Sequence, residues 1–424
     1  MKTIHVVGSY FPAVSHGGPI ESNRRVCREL CSAGHEITVL TTNTNGAQVL
    51  PPEFRGWRDL DGYRVFYANR WLWRDLSPAL ARELRRQVPA CDVVHATGTY
   101  NWFLPLVARW CARAGKPLVV SPRGSLVPEA RSSKAAKKRL FDWLAQGRAL
   151  ARVSAFHATS EAEAEAIRDL VPGAVVVVIP NGVDVPEPLP ERQEDAPPYV
   201  LYIGRLHPYK RVGRIIQAFA RAVGKGGDGC RMTDDRKEKA SVVGGRWSVG
   251  KDVEGRQSVV GEENGRWSLI IAGGGGANYR RELERAASEA GIADRVRFVG
   301  HVSGEAKTKL LAQAGFVVQA PNPENFGNVV AEALAHGTTV LVGRGLPWEA
   351  LDREGCGFWV DDADKVLAES MVRLMALPPE ERRAMGQRGR EWMKRNFSWD
   401  GVAKRMIGLY EKVIEEKKSA VGGR

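Results

Sequence analysis

The chain has 424 residues, 43% of them hydrophobic, and 62 Lys and Arg against 49 Asp and Glu give it a net charge of +13. That length exceeds one ordinary core and points to two domains of similar size. No apolar stretch reaches the ~18 residues of a membrane helix. No motif with interleaved aromatics accompanies the positive charge, so nucleic acid is not expected as a partner.

The N-terminus, MKTIHVVGSYFP, is too short an apolar run for a signal peptide and lacks a small-residue cleavage site, so a cytoplasmic protein is expected. Strands are expected at 4–8, 37–41, 65–67, 92–96, 118–121, 155–159 and 175–179, with helical runs such as 20–33 and 161–170 between them. Val- and Ile-rich strands interleaved with helices mean a parallel sheet covered on both faces. Cys27 and Cys31 share a helix face, but no Cys or His nearby completes a zinc set, and reduced thiols are expected for all six cysteines.

Between these elements, residues 131–144 combine Arg131, Lys134, Lys137, Lys138 and Arg139 with Leu140, Phe141, Trp143 and Leu144. On a helix, Ala136, Leu140, Trp143 and Leu144 form one stripe, with Arg131, Lys134 and Lys138 on another face. The pattern suits an anionic membrane surface, and it equally suits an ordinary domain helix with a solvated charged face.

The first domain is expected to span 1–184, and the Pro- and acid-rich stretch 185–198 reads as a linker. A second α/β series, 199–396, follows. Its strands are expected at 199–204, 268–272, 296–299, 316–320 and 339–342, with helices at 279–290 and 328–336. An insert at 224–266 is rich in Gly and charge and repeats itself, SVVGGRWS at 241–248 returning as SVVGEENGRWS at 258–268, and is expected to be mostly disordered. Residues 397–424 close the chain as a helix.

The chemistry concentrates in PNPENFGNVVAEALAHG, residues 321–337. Two helical residues eight apart, as Glu324 and Glu332 are, differ by roughly 80° and about 12 Å along the axis, too far to share one metal or one proton. Glu324 is therefore expected in the loop before a helix, with Glu332 about two turns in. Asn325, Phe326, Gly327 and Asn328 would carry backbone N–H groups at the helix N-terminus, where an anion binds readily. Such a site holds a diphosphate on amides while carboxylates accept from sugar hydroxyls.

Arg205 and Lys210, in GRLHPYK, follow an apolar strand, where cations can neutralise charge on a departing diphosphate. Gly17 and Gly18 lie between the first strand and its helix, where backbone can approach a phosphate or form a tight turn. Gly273–Gly276 lack the GK[ST] of a Walker loop. Asp59–Asp61 and Asp362–Asp364 each fit a D-x-D pattern and are assigned to no metal. His95, His157 and His301 end or follow strands and read as structural, while Phe326 and Trp348 fit either sugar stacking or core packing.

Several of these segments in order resemble glycosyltransferase family four, the group 1 enzymes of GT-B fold. The likeness is carried by GSYFPAVSHGGPIESNRRVCRELCSAGHEITVLT, SPRGSL, IPNGVD, YIGRLHPYKR, LIIAGGG, RVRFVGHV, ENFGNVVAE and the closing FSWDGVAKRMIGLYEKV. The resemblance implies two Rossmann-like domains facing a cleft, with the last helix packing back on the first domain. It also implies a retaining, metal-independent enzyme that needs no cofactor beyond a nucleotide-diphosphate sugar and moves its hexose to a glycan or lipid-linked acceptor. Arg205 and Lys210 would meet the donor diphosphate, Glu324 the hexose and Glu332 the ribose. Arg123, in SPRGSL, departs from the His that many members carry there. A fixed cation at that position could hold a phosphate or carboxylate on the sugar or acceptor.

Two rivals keep the residues but change the function. One is an epimerase or glycan synthase on the same architecture, and the other is a basic scaffold that binds membrane or nucleic acid through charge alone. A dehydrogenase is disfavoured because the G-x-G-x-x-G fingerprint is missing. The expected location is cytoplasmic, or peripheral on the inner face of the membrane.

Overall fold

The computed structural model describes residues 1–13, 18–71, 77–132, 135–192, 196–224 and 267–422. Gly17, Lys134 and residues 225–266 of the insert lie outside them. The chain forms two compact units, Met1–Gly182 with Phe397–Arg424, and Val183–Asn396.

The first unit is built on an eight-stranded sheet. Its strands are β1 (Lys2–Val7), β2 (Glu36–Thr42), β5 (Gly56–Leu60), β6 (Tyr63–Ala68), β7 (Val93–Thr97), β8 (Leu118–Ser121), β9 (Ala155–Ala158) and β10 (Val176–Val178), while β3 (Thr44–Asn45) and β4 (Gln48–Val49) form a separate small hairpin. The order is β10-β9-β8-β7-β1-β2-β6-β5. All pairs are parallel except the edge pair β5–β6. Continuous apolar runs such as LVVS in β8 are buried along their whole length, as a sheet covered on both faces demands. The chain leaves β1 for β2 and β6 on one side and returns at β7 on the other. The loops after β1 and β7 therefore diverge at a switch point.

The helix Trp399–Gly422 belongs to this unit, as expected. Val402, Ala403, Met406, Leu409, Tyr410 and Val413 pack into one core with Val7, Val39, Val65 and Val93.

The second unit holds a six-stranded, all-parallel sheet. Its strands are β11 (Tyr199–Ile203), β12 (Ser268–Ala272), β13 (Val296–Gly300), β14 (Phe316–Gln319), β15 (Val340–Gly343) and β16 (Gly357–Val360), in the order β13-β12-β11-β14-β15-β16. Both sheets are thus Rossmann-like. The second switch point lies between β11 and β14.

The stretch read as a linker is tied to the second unit. Arg390 donates to the Pro186 carbonyl at 2.6 Å, Lys394 pairs with Glu187 at 2.5 Å, and Arg192 donates to Thr338 Oγ1 at 3.2 Å. Among the described residues no helix is long and apolar enough to cross a membrane.

Candidate donor site at the second switch point

The loops that follow β11 and β14 carry Arg205 and Lys210 on one side and Glu324 on the other. Neighbouring strands whose connections run in opposite directions open a crevice at their carboxyl ends. Three of the residues singled out from sequence meet there. Lys210, ending the short 3-10 turn Pro208–Lys210, pairs with Glu324 Oε1 at 2.5 Å. The Asn322 amide donates to the Tyr209 carbonyl at 3.0 Å, and the Tyr209 hydroxyl donates to the Pro323 carbonyl, so the two loops are stitched side by side.

Tyr202 lies beneath them. Burial pushes its hydroxyl above the usual tyrosine range, the Glu324 charge pushes it further, and Arg205 opposes both. Glu324 and Arg205 therefore share one electrostatic neighbourhood, and Tyr202 donates to the Arg205 carbonyl at 3.3 Å.

Glu324 sits in the loop and Asn328 opens the helix Asn328–Ala335. Glu332 is the fifth residue of that helix, just over one turn in rather than two, because helix formation waits for Asn328. The start is set by Gly327, whose φ of 75° is open to glycine at little cost. A Cβ at this position would come within 2.6 Å of Leu346 Cδ2. The amides of Asn325, Phe326, Gly327 and Asn328 lie at this turn. The Phe326 side chain is turned inward: its ring lies 5.3 Å from that of Trp348, both are buried, and Trp348 Nε1 donates to the Phe326 carbonyl at 2.6 Å. Phe326 thus offers the site its backbone, while its ring fixes the turn from below.

Glu332 Oε1 accepts from Lys307 Nζ at 2.7 Å, and its Oε2 is buried with no hydrogen-bond partner. A buried carboxylate oxygen without a donor is costly unless a ligand supplies one. Lys307, on the helix Gly304–Gln313, was not anticipated; in sequence it is one lysine of a polar helical run.

The glycine run after β12 packs on the Arg205 loop. Leu206 N donates to the Gly274 carbonyl at 2.8 Å, and a Cβ on Gly273 would lie 1.7 Å from the Gly204 carbonyl oxygen. Close backbone approach is what these glycines serve. Both D-x-D segments sit on arginines: Asp61 on Arg24 at 2.7 Å, Asp362 on Arg211 at 3.5 Å and Asp364 on Arg214 at 2.5 Å. Among the described residues no group of three His, Cys, Asp or Glu side chains could hold a metal ion.

In the first unit, Gly18 opens the helix Gly18–Ser32 after β1. Arg123 follows β8 with φ 56°, and its Nη1 donates to Asn181 Oδ1 at 2.5 Å, while its Nε is buried without a partner. Burial lowers its pKa, opposed by Glu163, which accepts from the amides of Gly124 at 2.6 Å and Thr159 at 2.8 Å. Asn181 lies within the IPNGVD segment, and its hold on Arg123 was not legible there.

His95 Nδ1 shares a hydrogen bond with Tyr410 at 2.7 Å, and His157 Nε2 lies 2.8 Å from the Ile179 carbonyl. With His5 they form a buried cluster, ring centroids 5.1 Å and 5.5 Å from His95. His301 stands exposed after β13.

Comparison with known proteins identifies the family and the fold. Residues 17–182 match the glycosyl transferase 4-like domain, and residues 252–392 match the glycosyl transferases group 1 family. The GDP-mannose:cellobiosyl-diphosphopolyprenol alpha-mannosyltransferase of Xanthomonas oryzae is 25% identical across 98% of this chain and 97% of its own length. The D-inositol 3-phosphate glycosyltransferase of Salinispora tropica is 36% identical across 36% of this chain, a match that spans only 32% of that relative. Among solved structures, Anabaena HepE in complex with UDP and glucose superposes with a TM-score of 0.66 over 97% of this chain and 100% of its own, at 18% identity. With both halves matched in order and the whole fold shared, the chain belongs to the group 1 glycosyltransferases of GT-B fold.

Proposed function

We propose that this glycosyltransferase is a retaining, metal-independent hexosyltransferase that takes its sugar from a nucleotide-diphosphate donor and passes it to a glycan or lipid-linked acceptor. The observation that carries the reading is the meeting of Lys210, Glu324 and Arg205 at the β11/β14 switch point, ahead of a helix N-terminus. Two cations and a turn of amides suit the negative charge that grows on a diphosphate as the glycosidic bond breaks. Glu324 would accept from hexose hydroxyls. The partnerless Oε2 of Glu332 suits a ribose hydroxyl. Arg123, in the first unit, would supply a fixed cation to a phosphate or carboxylate. Retention would follow same-face attack, with the leaving phosphate taking the acceptor proton. The named activity of the Xanthomonas relative, mannosyl transfer to a polyprenol-linked glycan, supports an acceptor of this kind.

A peripheral seat on an anionic membrane is part of the proposal, and the basic stretch supports it. In an ordinary domain helix the apolar stripe would face the core. Here Trp143 is 76% exposed, Leu140 57% and Leu144 54%, with Trp102 also exposed beside Phe141 and with Lys137 and Arg139 at the surface. An outward apolar ridge flanked by cations suits anionic lipid.

The test is a panel of UDP- and GDP-sugars scored by thermal shift, followed by product analysis. One donor stabilising more than its free nucleotide, and transferring only when an acceptor is present, is the expected result. Sugar conversion without an acceptor would indicate an epimerase. Binding indifferent to Glu332→Gln would remove the ribose assignment.

A further inference from the structure

Lys307 and Glu332 form an ion pair inside the second unit whose geometry is one-sided. Lys307 stands in the first turn of the helix Gly304–Gln313, its amide donating to the Ser303 carbonyl at 3.4 Å. Glu332 is the fifth residue of the neighbouring helix Asn328–Ala335. Lys307 Nζ donates to Glu332 Oε1 at 2.7 Å, with the two side chains 31% and 28% exposed. The other oxygen, Oε2, is buried, and among the described residues no group donates to it. His336 lies beside the pair, but its Nδ1 engages the Glu332 backbone carbonyl at 2.7 Å and not the carboxylate.

The one-sidedness follows from the choice of cation. An ammonium is a point charge that meets one oxygen, whereas the planar fork of an arginine can take both at once. A lysine at this position therefore anchors Glu332 and leaves one acceptor over. The anchor matters because a glutamate side chain turns about several bonds, and ordering it only when a ligand arrives lowers affinity. Here Lys307 has already ordered it.

We propose that Lys307 is a positioning residue for donor recognition: it fixes Glu332 so that Oε2 accepts from one ribose hydroxyl, and the pair thereby selects ribonucleotides over deoxyribonucleotides. The inference rests on the assignment of Glu332 to the ribose. A site whose acceptor is already in place rejects an analogue lacking the hydroxyl, because Oε2 then stays buried and unpaired. Without its anchor, Glu332 can turn Oε2 towards water, and the penalty on the analogue falls away.

Calorimetric titration of the full chain with UDP and with GDP, each beside its 2′-deoxy and 3′-deoxy forms, reads the effect. The quantity compared is the Kd of the weaker deoxy form divided by that of the ribonucleotide. The expected ratio is about ten or more in the unsubstituted protein, and about two or less in both Lys307→Met and Glu332→Gln. Any general charge effect of losing Lys307 acts alike on all three nucleotides and leaves the ratio unchanged. Lys307 is partly exposed and methionine keeps most of its stem, so the variant retains the fold. A ratio that falls in Glu332→Gln but not in Lys307→Met would overturn this inference and leave the ribose assignment standing. A ratio near one in the unsubstituted protein, a ratio unmoved by Glu332→Gln, or no binding of either nucleotide would remove the ribose assignment and this inference with it.

Discussion

Replacing Lys210 with alanine separates what the Lys210–Glu324 pair does for the fold from what it does for transfer. The two groups meet at 2.5 Å with side chains 22% and 17% exposed. An ion pair still reached by solvent is worth at most ~1 kcal/mol to stability, and in a unit of this size that moves the melting temperature by about 2–4 °C. The catalytic effect is larger. A cation ~4 Å from a diphosphate oxygen contributes on the order of 4 kcal/mol at an effective dielectric near 20, and loss of one preorganised donor costs about 3–4 kcal/mol. At 1.36 kcal/mol per decade, turnover falls by roughly 10²–10³. Initial rates with a nucleotide sugar and acceptor, read beside a melting curve, measure both, and Lys210→Arg should recover part of the rate. Turnover within about threefold of the unsubstituted enzyme, or a melting temperature lowered by ~8 °C or more, would refute the reasoning.

Gly327→Ala should lose about 1–3 kcal/mol and raise the donor KM, because a side chain at φ 75° strains the turn and presses on Leu346; an unchanged KM would detach that turn from the donor. Burial holds His5 down at about 4 and His157 at about 3, with Arg123 adding to both. In the unfolded chain both titrate near 6.5, so the unfolded state takes up protons first, and stability, complete above that pH, falls as the pH drops towards 4. For His5 this amounts to about 3 kcal/mol. Melting temperature followed from pH 7 to 4 should show a steep acid limb that His5→Gln makes shallower, and identical slopes would count against it. Trp143→Ser should weaken cosedimentation with anionic vesicles about tenfold while leaving the melting temperature within ~1 °C, since its ring packs little in the free protein. Failure of the unsubstituted protein to cosediment would end the membrane reading.

The buried strands were the easiest part to read. LVVS at Leu118–Ser121 and SLIIA at Ser268–Ala272 lie where their apolar runs placed them, because a strand covered on both faces needs side chains of one kind only. Two of the four edge strands, β5 and β16, were missed, while β10 and β13 lie where expected. Gly56–Leu60 (GWRDL) mixes charge with aromatics on a half-exposed antiparallel edge, and Gly357–Val360 is too short to show a period. In the site, the loop residues Arg205, Lys210 and Glu324 were legible as chemistry out of place after apolar strands. Lys307 and Asn181 were not, because a contact between residues 25 or 58 positions apart leaves no local pattern. The stripe at Leu140, Trp143 and Leu144 was visible, but its orientation was not, since periodicity gives a face and not what covers it.

The first unit takes its core from both ends of the sequence, with Tyr410 bonded to His95 and Met406 packed among residues from the opening strands. During synthesis, the opening strands must therefore wait for some two hundred intervening residues before their last helix emerges from the ribosome. The second unit, continuous in sequence, can complete itself during that delay. Nascent chains stalled before Trp399 would expose an apolar face that chaperones recognise, so a late stop codon should harm solubility more than its small number of lost residues suggests.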